Sequence, residues 1–235
     1  MSQTRKLLQE WERQNPGYAA GLEAAISRAE GTWRNNAPGY NILFGGGQFK
    51  GYERHPDRVI KTPGYASAAA GAFQFMPDTW KGVAEAIGAK DFSPENQRLG
   101  MLYLTRQRLL PVGGLAAISK AGKLTPELQA RLAPEWASFP TMQGVSAYGQ
   151  PVKRASQISA WFDEAASNAS RAALPPAQAP QLTDQGLLQG FMSALTGVQS
   201  PTQKMEAEIQ KSLLKDVLTP RPTMHPMGFL LNYIK

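Results

Sequence analysis

The 235-residue chain has no cysteine and only two histidines, His55 and His225. A disulfide framework and a thiolate metal site are therefore excluded, and a histidine-rich metal centre lacks ligands, so no metal or cofactor is expected. Long apolar runs are missing too. None approaches the roughly 18 residues of a membrane span, and the opening MSQTRKLLQEWERQNPG scatters charges where a secretion signal needs about 7 to 15 apolar residues. A chain with no membrane span and no signal peptide is expected. Charge is sparse at 18%, but 42% hydrophobic residues are enough to fill a globular core. No repeat recurs at a period of about 20 to 50 residues, which excludes solenoids and propellers.

What is present is unevenly placed. All five tryptophans (Trp11, Trp33, Trp80, Trp136, Trp161) lie in the first 161 residues, whereas 7 of the 18 prolines fall in the last 62. Residues 1–173 carry 20 basic and 14 acidic groups out of a chain total of +7, so the basic character belongs to the N-terminal part. The run Leu174-Pro175-Pro176-Ala177-Gln178-Ala179-Pro180-Gln181 has the composition of a stiff connector with nothing to pack. Three regions follow: a core domain at 1–173, a proline-rich linker at 174–182 and a tail at 183–235. In the tail, Met205, Ile209, Leu213 and Val217 recur every fourth residue, the stripe of an amphipathic helix that needs a partner.

Within the domain the periodicity is mostly helical. Leu7, Leu8 and Trp11 suggest a helix stopped near Asn15-Pro16-Gly17, and residues 19–30 a second, with Leu22, Ala25, Ile26 and Ala29 on one face and Gly31 as its stop. Pro77 to Gly88 gives a third. Ser93 as cap and Pro94 at the first position open a fourth, and further helices fit 115–121, 126–133 and 152–167. Residues 40–60, with short apolar runs around Gly45-Gly46-Gly47, read as a small hairpin. The fold class expected is mainly α with a small β-hairpin, plus a helical tail.

Gly45-Gly46-Gly47 is not followed by Lys-Ser or Lys-Thr, so a nucleotide-binding loop is rejected in favour of a turn. Ser27, Ser67 and Ser119 have no elbow glycines, and a serine hydrolase is not supported. Glu30 is the chemical candidate. A carboxylate in the last turn of a helix faces the negative end of the dipole, and burial against Trp33 or other apolar groups would raise its pKa further and favour the proton-donating form. By position alone it reads as a solvated helix end.

The blocks Ala29-Glu30-Gly31-Thr32, Gly39-Tyr40-Asn41-Ile42, Phe44-Gly45-Gly46, His55-Pro56, Ala70-Gly71-Ala72-Phe73-Gln74-Phe75, Asp91-Phe92-Ser93-Pro94 with Gln97, Trp136-Ala137-Ser138-Phe139-Pro140 and Tyr148-Gly149-Gln150 stand in the order found in the lambda-type phage endolysins. The chain resembles that family, peptidoglycan lytic transglycosylases with a lysozyme-like fold, over residues 24–154. The resemblance implies that Glu30 is the catalytic acid, that Gln74 and Tyr148 line the glycan cleft, and that the hairpin forms one lip. Read as residues alone, Gln74 could be an amide tying chain segments together and Tyr148 a core aromatic. His55 reads as structural, and Asp57, the nearest second carboxylate in sequence, is not placed opposite Glu30. Glu53-Arg54, Phe73 and Arg98 depart from the family's usual residues, and the span 111–122 looks lengthened.

By the same resemblance, Glu30 would cleave between N-acetylmuramic acid and N-acetylglucosamine to leave 1,6-anhydro-muramic ends, which needs no second carboxylate to activate water. Peptidoglycan strands are the partner this implies, and a basic domain suits an anionic wall. The tail suggests a virion component, held by other particle proteins or by self-association and acting in the host periplasm or cell wall. The alternatives are a noncatalytic structural virion protein that keeps the fold, and a hydrolytic muramidase or free endolysin. Nucleic acid is not an expected partner, because Lys and Arg form no cluster interleaved with aromatics.

Overall fold

The computed structural model describes residues 2–62, 65–149 and 151–173. The linker read at 174–182 and the helical tail read at 183–235 lie outside the described residues. Helix α1 (Gln3–Gln14) is capped by Ser2, whose hydroxyl accepts from the Arg5 amide. Helix α2 (Pro16–Ala29) starts on a proline, where the missing N–H costs nothing, and it is the hub of the domain. Two short antiparallel pairs follow: β1 (Trp33–Arg34) with β2 (Ala37–Pro38), and β3 (Ile60–Thr62) with β4 (Tyr65–Ser67). Then come α3 (Pro77–Ile87), α4 (Pro94–Leu109), α5 (Ala116–Ala121), α6 (Pro126–Leu132) and α7 (Ala155–Ala173). Every helix expected within residues 1–173 is present. The last begins at Ala155, three residues later than the apolar pattern suggests, and runs further, to Ala173.

Nine residues of α2 are buried, from Gly17 to Ala29. Two of them explain how α7 lies so close. A Cβ on Gly21 would stand 2.8 Å from the ring of Phe162, and one on Gly17 would collide with the Ser170 hydroxyl and stand 2.9 Å from the Ala166 carbonyl. Phe162, Ala166 and Ser170 recur every four residues, so they present one face of α7 to Gly17 and Gly21 on α2. The aromatic core lies under α3 and α4, where Phe92 meets Trp80 edge-on with centroids 4.7 Å apart and His55 at 4.8 Å. Gln97, fully buried on α4, joins three segments: its Nε2 donates to the carbonyls of Tyr40 and Phe92, and its Oε1 accepts from the Ala72 amide. A buried amide with these bonds made fixes the loops around it, because leaving any of them unmade would cost about 1–3 kcal/mol.

The hairpin expected at 40–60 is displaced. Its centre, Phe44–Gly46, is a 3-10 turn with Gly45 at φ 79° and Gly46 at φ 90°, flanked by a single bridge between Ile42 and Gln48. Consecutive burial of Ile42 and Leu43 breaks the in-out alternation that a two-faced strand requires. The ladders form on either side of this segment. The β1–β2 turn is Asn35-Asn36 with both residues at positive φ, 48° and 61°, the backbone a two-residue hairpin of this hand needs.

Candidate active site

Helix α2 ends because Gly31 takes φ 72°, which lets the Thr32 amide reach back to the Ser27 carbonyl at 2.9 Å. Glu30, the cap before that glycine, keeps its own amide on the Ile26 carbonyl at 2.9 Å, so its backbone is held on both sides. Its side chain enters a cleft of about 420 Å³ whose lining includes Arg34 and Gly31 near the helix end, Phe44 and Gln74 on one wall, and Ser138 and Lys153 on the other. Among the described residues that line this cleft, Glu30 is the only carboxylate.

Burial pushes the Glu30 carboxyl up to about 7 from its ordinary 4.5. Three groups act against burial: the Ser138 hydroxyl, which donates to Oε1 at 2.5 Å, the Ser138 amide, and the positive charge of Lys153. Burial wins because it disfavours the charged form throughout, while the donors and the lysine recover only part of the lost hydration. Lys153 is held near by its own amide, which donates to the Ser138 carbonyl at 2.9 Å. A carboxyl poised near neutrality can give up a proton and take one back, which is the property a general acid and base needs.

Trp33 is not among the cleft-lining residues; its ring is covered by the Arg28 guanidinium at 4.5 Å, which also pairs with Glu164 of α7 at 2.7 Å. That brace ties the end of α2 to β1 and α7 behind Glu30.

Gln74 does line the cleft, at φ 50°, a backbone conformation uncommon outside glycine. Its Nε2 donates to the carbonyls of Gly71 (3.0 Å) and Ile42 (3.3 Å), which uses both of its hydrogens and ties the wall together. Its carbonyl oxygen has no protein donor among the described residues and remains available as an acceptor. Tyr148 is not brought to this cleft. It is 60% exposed, and its hydroxyl donates to the Pro134 carbonyl at 2.7 Å. His55 is a structural residue: Nε2 bonds the Phe75 carbonyl, Nδ1 accepts the Asp57 amide, and burial lowers its pKa. Asp57 lines a different cavity, so no second carboxylate faces Glu30 from there. Ser138 and Lys153 were not singled out from the sequence as site residues; the only signal was that Ser138 stands inside the Trp136 to Pro140 block. Among the described residues no group of three or more His, Cys, Asp or Glu could hold a metal, and no helix is long and apolar enough to cross a membrane.

This is a mostly helical fold of lysozyme type, with one acid in its cleft. A family model described as Endolysin matches residues 20–169, and the chain belongs to that family. It is 31% identical to an endolysin of Escherichia phage lambda over 128 residues, 54% of this chain and 75% of the relative. Among solved structures it is similar to a bacteriophage lambda lysozyme complexed with a chitohexasaccharide, with a TM-score of 0.54 at 28% identity over 63% of this chain and 94% of the other. A further structure of lysozyme from bacteriophage lambda matches at a TM-score of 0.53 and 27% identity, with the same coverage.

Proposed function

We propose that the protein degrades peptidoglycan as a lytic transglycosylase, with Glu30 as both acid and base. The observation that carries this reading is the lone carboxyl among the described residues of the cleft, held near neutrality. Protonated Glu30 donates to the oxygen linking C1 of N-acetylmuramic acid to N-acetylglucosamine, and the C1–O bond breaks with the electron pair leaving on that oxygen. The resulting carboxylate takes the proton from the muramic 6-hydroxyl, whose oxygen closes on C1. The product is a 1,6-anhydro ring, Glu30 is protonated again, and no water is consumed. A hydrolase would need a second carboxylate to activate water or to serve as nucleophile, and the described cleft lining supplies none.

The lambda lysozyme complex with a chitohexasaccharide supports a glycan in this cleft. In this reading the Gln74 carbonyl accepts from a sugar hydroxyl, and Tyr148, exposed on the segment that carries Ser138 and Lys153, meets the strand beyond the cleft. We also propose that the enzyme travels in the virion, tethered by residues 183–235 through the proline-rich linker and used on the host wall; the apolar stripe of that segment supports this. The test is digestion of purified peptidoglycan by the full chain followed by mass spectrometry. Anhydro-muramic ends, lighter by one water than reducing ends, are expected; reducing ends alone would make the protein a hydrolase, and no digestion would leave the noncatalytic reading.

A further inference from the structure

A second and larger cavity, about 540 Å³, lies beside the cleft and shares no residue with it. Its floor is made by His55 and Trp80, both buried. The floor is fixed in place, because both ring nitrogens of His55 are already bonded and Trp80 packs edge-on against Phe75 and Phe92. The rim carries charge of both signs: Arg54, Lys81 and Lys90 against Glu53, Asp57 and Asp91. None of the three cations is in a salt bridge among the described residues, so their charges are available to a ligand. Asp91 is partly occupied, since its Oδ1 accepts from the Ser93 amide and the Asn96 side chain.

A rigid aromatic floor under a rim of unpaired cations and carboxylates suits a short zwitterionic chain with several carboxylates and an amine. It does not suit a neutral sugar or a single anion. We propose that this cavity receives the peptide stem carried by the muramic residue of the strand, an inference that rests on the peptidoglycan reading above. The two cavities are near neighbours. Gln74 lines the cleft and Pro77 the second cavity, so three residues of chain, at most about 10 Å, separate a lining residue of one from a lining residue of the other. A four-residue stem spans up to about 14 Å, longer than that separation, so a peptide attached to a sugar in the cleft has the length to reach the second cavity. The arrangement also keeps the charges of the stem out of the cleft, where they would restore the polarity that Glu30 is buried to avoid.

The test uses the full chain and two probes: the soluble tripeptide L-Ala-γ-D-Glu-meso-diaminopimelate, and glycan strands with and without their peptides. Expected are amide and indole NMR shifts at Trp80, Lys81 and Lys90 on addition of the tripeptide, and a KM three- to tenfold lower for peptide-bearing than for stripped strands. The Lys81→Glu/Lys90→Glu double variant, changed at two exposed positions, should lose both effects while keeping its kcat on stripped strands. A tripeptide that moves none of these signals, or a variant that keeps the KM difference, overturns the proposal. If neither kind of strand is cleaved, the transglycosylase reading fails instead, and the tripeptide shifts still decide the cavity.

Discussion

The hydroxyl of Ser138 donates to Oε1 of Glu30 across 2.5 Å, joining the end of α2 to a segment 108 residues downstream. The bond favours the carboxylate, so it works against the burial that raises the pKa of the acid. Replacing Ser138 by Ala removes that support and sends the pKa of Glu30 above about 7. The protonated acid then persists to higher pH. We expect the alkaline limb of the kcat/KM profile of Ser138→Ala to move upward, with a severalfold loss of rate at pH 6 from poorer positioning of the acid. An unmoved limb would mean that Ser138 only packs against the acid.

Glu30→Gln should abolish cleavage, a loss of at least about a hundredfold for removal of a general acid. It should also change stability in a pH-dependent way. In the folded chain the carboxyl ionises near 7, whereas in the unfolded chain it ionises near 4.5, so the native state is favoured below pH 4.5 and progressively loses that advantage as pH rises to about 7. Above pH 7 the full cost, on the order of 3 kcal/mol, is carried by the wild type and absent from the amide. Denaturant melts at pH 4 and pH 8 check this: the two proteins should agree more closely at pH 4, and the variant should be the more stable at pH 8.

The helices of the described domain, and the place of Glu30 at the end of one, are legible in the sequence for local reasons. Ser93-Pro94, Pro77 with Gly88, and Gly31 are start and stop signals that act over a few residues, and Glu30 stands beside one of them. The strand positions are less legible, because the glycine run at 45–47 carries the stronger turn signal while Asn35-Asn36, a weaker one, takes the positive-φ turn. Ser138 and Lys153 could not be assigned by spacing, because their place at the acid depends on how the 137–153 segment folds back onto α2. Trp33 stands outside the cleft lining, with its ring under the Arg28 guanidinium, a contact that spacing does not announce.

The glycines of α2 look like weak points in a helix, and Gly21→Ala would gain up to about 1 kcal/mol of helix propensity. The structure predicts the opposite sign. The added Cβ would sit 2.8 Å from the Phe162 ring, which is fully buried and cannot withdraw without moving α7 off α2. Overpacking of this kind costs about 1–3 kcal/mol. Urea unfolding should show a lower midpoint with an unchanged slope, and Phe162→Leu, which frees space at that contact, should make the second substitution less costly than it is alone.

A chain ending at Ala173 should fold and cut glycan as the full chain does. Among the described residues the buried core runs from Leu8 to Phe162, the Ser138–Glu30 bond lies within it, and the family match ends at residue 169. The melting temperature and the kcat/KM on purified peptidoglycan should therefore stay within about twofold of the full chain, an expectation of the boundary drawn at 173. Incorporation into phage particles should separate from these properties. Residues 205–217 carry the stripe of Met205, Ile209, Leu213 and Val217, and burying such side chains against a particle protein is worth about 1.5–3 kcal/mol each before the cost of ordering the segment. Particles assembled with the truncated chain should contain little of it while lysates contain it in active form. Undiminished amounts in purified particles would place the attachment within residues 1–173 and remove the role assigned to the tail.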